Sequence, residues 1–130
     1  EWEDIRLGEG ELYVRAGKTK NAERWVKIQQ PLDQYLAALP AQSGLVLPAS
    51  KNTKLRAKRG TMNRAGVDIP RNALRHSYGS HHLVGFKKPA ETATEMGHHS
   101  PQVTYSAYRK AVTRAQAVEY WRLTPSPEQR

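Results

Sequence analysis

The 130-residue sequence contains no cysteine. That absence excludes a disulfide framework, a thiolate zinc site and a cysteine nucleophile. Long apolar runs are missing as well. The longest, such as residues 44–47, fall far short of the roughly 20 residues a membrane-crossing helix needs, so no membrane partner is expected. No basic, apolar, small-residue leader opens the chain, and the expected compartment is the cytoplasm. Acidic residues are almost absent from residues 41–90, where Asp68 stands alone against ten Lys and Arg, whereas residues 1–40 hold seven acids. The net charge of +9 is therefore concentrated in the middle of the chain. A basic block with Leu, Met and Val interspersed fits a surface that faces a polyanion, most often nucleic acid. From charge alone, a solvated helix face fits equally well. A chain of this size supports one core. Residues 1–123 read as one domain and 124–130 as a polar, flexible tail.

The patterning predicts an α+β chain dominated by helix: a small antiparallel three-stranded sheet followed by five or six helices. Residues 11–16 and 24–28 alternate inward and outward side chains and form a hairpin, with residues 2–7 as a preceding strand. Pro31 opens a helix with Leu32, Tyr35, Leu36 and Leu39 on one face, ended by Pro40. Residues 41–48 read as a loop. A basic helix follows with Leu55, Arg59 and Met62 on one face, weakened by Gly60. Residues 72–84 form a helix ended near Gly85, and residues 89–96 a shorter one with Gly97 as its left-handed terminator. Ser100-Pro101 is an N-cap followed by proline, opening a helix to about Lys110. The last helix starts at the capping box Thr113-x-x-Gln116, with Val118 and Trp121 on its apolar side.

Three segments carry chemistry: Asn72-Ala-Leu-Arg-His-Ser77, Glu95-Met-Gly-His-His-Ser100 and Tyr105-Ser-Ala-Tyr-Arg109. A phosphodiester is anionic and slow to break. Without a metal, its cleavage needs fixed cations on the non-bridging oxygens, a nucleophile and a proton for the leaving alkoxide. Arg75 offers a permanently charged fork that grips two oxygens, and His98 a donor beside the Gly97 break. Tyr105 and Tyr108, one helical turn apart, are the two candidate nucleophiles.

These segments resemble the signature boxes of the tyrosine recombinase, or phage integrase, family. The likeness extends upstream to Trp2-Glu-Asp-Ile5 and to Ala16-Gly-Lys-Thr-Lys20, which is similar to the family's lysine-bearing hairpin. The resemblance implies a site-specific recombinase catalytic domain that cleaves and rejoins double-stranded DNA through a 3′-phosphotyrosyl intermediate, without a cofactor. It implies Tyr108 as nucleophile, since Tyr108-Arg-Lys-Ala-Val112 is similar to the sequence that follows the nucleophile in many integrases. Arg75 and His98 become phosphate ligands and Lys18 the general acid, with Lys20 as competitor. Arg71, Asn72, His76, Lys20, Lys54, Lys58 and Arg59 are candidate phosphate or DNA contacts. The full-length protein would act as a homotetramer on DNA, and this chain alone would be a monomer or weak dimer.

Two departures from the family pattern bear on activity. Asn72 stands where the family usually has histidine, and an amide cannot accept the tyrosine proton as a base. The family's first catalytic arginine lies ahead of the Trp-Glu-Asp-Ile strand with which this sequence begins, so the chain is expected to be a partial domain, weak or inactive by itself. A DNA-binding remnant without chemistry and a type IB topoisomerase-like domain are the alternatives. His76, His81, His82, His98 and His99 also raise a metal site, but no carboxylate stands among them at a ligand spacing, and no metal is expected.

Overall fold

The computed structural model describes residues 1–15, 23–40, 43–47, 49–109 and 111–126. Among them lie a three-stranded antiparallel sheet and six α-helices, an α+β arrangement that is mainly helical. A single 3₁₀ turn, Trp2–Asp4, occupies much of the expected first strand, which shrinks to β1, Ile5–Arg6. The turn forms because Glu1 and Asp4 cap one another's backbone N–H groups. Arg15 then ties it to the hairpin through Asp4 at 2.6 Å and through Glu1. β1 pairs with β2 (Glu11–Val14), and β2 with β3 (Arg24–Lys27) in the register Leu12↔Val26, Tyr13↔Trp25 and Val14↔Arg24.

The helices are α1 (Gln30–Ala37), α2 (Lys51–Ala65), α3 (Ala73–Phe86), α4 (Pro89–Met96), α5 (Pro101–Tyr108) and α6 (Arg114–Tyr120). Two apolar clusters hold them. Trp2, Ile28 and Leu36 join the sheet to α1, with Ile5, Leu7, Leu12 and Val46 around them. Leu83, Met96 and Tyr108 join α3, α4 and α5, with Tyr78 alongside. Of the expected α1 stripe only Leu36 is buried, while Leu32, Tyr35 and Leu39 remain exposed.

Gly60 does not break α2, whose N-cap Ser50 accepts from the Thr53 N–H and whose end is the left-handed Gly66. α2 has no buried residue and takes no part in the more extensively packed pairs among the described elements. The capping box of α6 is present, but Val118 is exposed. The buried residue of that helix is Ala117, and Trp121, its C-cap, packs on Tyr78, His82 and Phe86. No helix of the described residues is long and apolar enough to cross a membrane.

Candidate active site

The site is assembled around the end of α4. Gly97 has φ 68°, the left-handed conformation that closes a helix, and the His98 N–H reaches back to the Ala93 carbonyl at 2.8 Å. Helix ends leave carbonyls without intrahelical donors, and here two guanidiniums supply them. Arg75, in the first turn of α3, donates from Nη2 to the Met96 carbonyl at 2.6 Å. Arg24, on β3, donates from Nε to the adjacent Glu95 carbonyl at 3.0 Å. Its terminal nitrogens lie against the open face of Gly97: a Cβ there would sit 2.9 Å from Arg24 Nη1. Residue 97 is thus glycine both for its backbone angle and for the space Arg24 fills.

His98 follows directly, with its Nδ1 2.7 Å from Oγ1 of Thr104, which is fully buried in α5. One turn later on α5, the Tyr108 ring stacks nearly parallel to the His98 ring, centroids 6.1 Å apart and planes 11° apart. The His76 ring flanks Tyr108 from α3 at 5.6 Å. Tyr108 is buried in the α3/α4/α5 cluster, and Gly79 lets it approach, since a Cβ at 79 would lie 3.0 Å from the tyrosine ring. No hydrogen bond among the described residues involves the Tyr108 hydroxyl.

Cations dominate the electrostatics. Burial pushes the His98 imidazole below its ordinary range, and Arg75, His99, Arg24 and His76 push it the same way. Burial and the neighbouring Arg75 likewise lower Arg24. None of the ion pairs among the described residues involves Arg75 or His98. Two guanidiniums and an imidazole gathered without a neutralising carboxylate on Arg75 or His98 form a ready anion site.

Of the residues singled out by sequence, Arg75, His98, His76 and Tyr108 come together. Tyr105 does not: it is half exposed and lies under the Arg109 guanidinium, 5.4 Å from ring centroid to Cζ. Arg71 and Asn72 are exposed just ahead of α3, with Asn72 left-handed at φ 62°. Lys54, Lys58 and Arg59 are exposed on α2, and among the described residues no hydrogen bond or ion pair ties them to the site. Lys18 and Lys20 lie outside the described residues. Arg24 was not singled out by sequence, although it shares the inward face of β3 with Val26. A charged residue at an inward strand position is the signal that marks it. Thr104, one turn before the tyrosine, gave none.

A second polar group lies behind the site. His82 is fully buried, its Nδ1 2.8 Å from Thr92 Oγ1 and its Nε2 3.1 Å from Glu95 Oε2, which also accepts from the Tyr78 hydroxyl. Burial pushes the Glu95 carboxyl up, but the adjacent His82 imidazole and the hydrogen bond from Tyr78 outweigh it and the net shift is downward. His82, Glu91 and Glu95 place ligand atoms within 4.8 Å of one another, a grouping able to hold a metal ion. The fold thus gathers the carboxylates that sequence spacing had left apart from the histidines. All three are already engaged, Glu91 with Lys88 at 2.9 Å and the other two with each other. Comparison with family models, with curated proteins and with solved structures found no match to this chain.

Proposed function

We propose that this chain is the catalytic portion of a site-specific DNA recombinase of the tyrosine type. Tyr108 attacks a backbone phosphorus, the bond from phosphorus to the 5′ oxygen breaks, and the 3′ phosphate is left on the tyrosine. The leaving 5′ oxygen takes a proton from Lys18, the role the family resemblance gives that residue. Attack by a 5′ hydroxyl then reverses the step and frees Tyr108, so the phosphotyrosyl bond conserves the energy for rejoining. Arg75 grips the non-bridging oxygens, and His98 donates to the same phosphoryl group as its charge grows. Neither needs a bound metal. The partner is double-stranded DNA, with the basic α2 tracking phosphates, and the assembly on DNA is a homotetramer of the full-length protein.

The observation that carries this reading is the Tyr108 ring held between His98 and His76, with Arg75 fixed to the carbonyl two residues before His98. A DNA-binding remnant without chemistry is the second reading, favoured by the acid-free α2, which has no buried residue. Incubating the chain with a pool of nicked duplexes of random sequence decides between them. The first reading expects even a weak catalyst to accumulate, over a long incubation, an SDS-stable protein–DNA adduct attached at a 3′ end, lost in Tyr108→Phe and kept in Tyr105→Phe. Salt-sensitive binding with no adduct would establish the remnant instead. Relaxation of supercoiled plasmid without site preference would indicate topoisomerase-like chemistry.

A further inference from the structure

Among the described residues are two histidine–threonine pairs, His82–Thr92 buried and His98–Thr104 partly buried, and their hydrogen-bond chains run in opposite directions. In the first, Thr92 donates its hydroxyl proton to the Lys88 carbonyl at 2.9 Å, four residues back on the same helix. Its oxygen must then accept from His82, so the proton of that contact sits on His82 Nδ1. Thr61 and Thr94 spend their hydroxyl protons in the same way, on the carbonyls of Ala57 and Ala90. Thr104 is different. It is also a helical threonine and fully buried, yet its only hydrogen bond among the described residues is the 2.7 Å contact with His98 Nδ1.

That difference decides the tautomer. If Thr104 accepted from an Nδ1–H, its own hydroxyl proton would be buried with no acceptor, and an unmade buried donor is costly. If Thr104 donates, its proton is used, Nδ1 is the acceptor, and the proton of the neutral imidazole is on Nε2, on the far side of the ring. Burial and the surrounding cations disfavour the charged form of His98, so which nitrogen carries the single proton of the neutral ring matters.

We infer that Thr104 is a positioning residue, which donates to His98 Nδ1 and so fixes the neutral imidazole as an Nε2–H donor for a phosphoryl oxygen. The choice of phosphoryl oxygen as its acceptor rests on the proposed reaction, whereas the tautomer does not. The device resembles the general rule that a group behind an imidazole sets the tautomer of the nitrogen that works. It also links the two halves of the site, because Thr104 and Tyr108 sit on one face of α5.

The test is a long-range ¹H–¹⁵N spectrum of the full chain with ¹⁵N-labelled histidine, recorded at pH 7.5. Wild type is expected to show His98 as one species, protonated at Nε2 and unprotonated at Nδ1. Thr104→Val, which keeps the shape and removes the hydroxyl, is expected to give a mixture of tautomers, and Thr104→Ser to restore the single form. Adduct formation on the nicked duplex pool should fall about tenfold in Thr104→Val and recover in Thr104→Ser. A wild-type His98 protonated at Nδ1 overturns the inference, and that spectrum needs no variant to fold. A mixed tautomer in Thr104→Val with an unchanged adduct rate overturns the positioning role. A wild type with the Nε2–H tautomer that forms no adduct upholds the hydrogen-bond direction and defeats the proposed reaction instead.

Discussion

Gly79→Ala tests whether α3 holds the tyrosine as described. In a helix interior the substitution normally stabilises by about 1 kcal/mol, because alanine loses less backbone freedom. At position 79 the new Cβ would lie 2.6 Å from Met96 Sδ, 2.9 Å from Met96 Cε and 3.0 Å from Tyr108 Cε2. Ordinary contacts are about 3.5–4.0 Å, so the overlap reaches about an ångström. A methionine tip normally yields, but Met96 is only 4% exposed and Tyr108 likewise 4%, and both are wedged in one cluster. Overpacking of this kind costs about 1–3 kcal/mol, and two groups on two helices must move here, which argues for the upper end. The net expectation is a loss of roughly 2 kcal/mol, or about 6–10 °C in Tm for a chain of this length. Gly60→Ala is the control, since its Cβ would meet only Arg64 Nη1 at 3.5 Å. It should raise amide protection within α2 and leave Tm nearly unchanged, because α2 has no buried residue. Thermal unfolding by circular dichroism with amide exchange reads both. A Gly79→Ala chain that melts at or above wild type would refute the close seating of α3 on Met96 and Tyr108.

Two further expectations concern titration. His98 should titrate below its ordinary value of 6.5, followed by its ring C–H resonances, and Arg75→Gln should move the midpoint upward only part of the way, because burial is the larger cause. With the folded midpoint depressed, the neutral ring contributes stability above the ordinary value, and that contribution is lost as pH falls through the lowered midpoint. A wild-type midpoint at or above 6.5 would contradict the cationic surroundings. Glu95 has the same sign in the acid range: its contribution is present above about 4.3 and lost as pH falls through its depressed midpoint. Glu95→Gln should cost on the order of 2–3 kcal/mol in urea unfolding at pH 7, and should flatten the acid limb; equal losses at pH 7 and pH 3 would show that the carboxylate charge is not what the His82 and Tyr78 contacts stabilise.

What the sequence made legible is local. Gly97, Ser100-Pro101 and Thr113-x-x-Gln116 each mark a helix end through a contact spanning only a few residues, and each is found where the pattern puts it. The hairpin of β2 and β3 is legible for the same reason. The failures are contacts between distant residues. Arg24 meets the Glu95 carbonyl across 71 positions, and nothing in the run Glu-Arg-Trp-Val tells which way the arginine points until β3 is seated on α4. His82, Glu91 and Glu95 seemed unrelated because ligand spacing was sought along the chain, whereas α3 and α4 bring them together from the two sides of a tight turn. Residues 2–7 read as a strand because hydrophobic alternation cannot see Glu1 and Asp4 capping one another. The exposed Leu32, Tyr35 and Leu39 show the same limit, since periodicity identifies an apolar stripe but not how much of it the sheet covers. Within the site, Arg75, His98 and Tyr108 were legible by type and order, while Thr104 was not, because a threonine acquires a role only from the ring it faces.

The arrangement of cations also has an economy that follows from where they are anchored. Bringing Arg24 and Arg75 near a partly buried histidine is unfavourable, and the ordinary remedy is a carboxylate. A carboxylate in the pocket would compete with any incoming phosphate for the same guanidinium fork. Here both arginines donate to the final turn of α4, whose carbonyls carry the negative end of the helix dipole. Those carbonyls compensate part of the charge, fix each fork and leave Arg75 with unspent donors. The Glu95 carboxylate is committed to Tyr78 and His82, while its carbonyl serves Arg24. The same residue therefore stabilises the core with its acid and the cationic face with its backbone, so Glu95→Gln should weaken folding while sparing the capping bond from Arg24. A helix end is a rigid anchor, which suits the proposed reaction, where a guanidinium, an imidazole and a phenol would meet one tetrahedral phosphorus without being rearranged by its arrival.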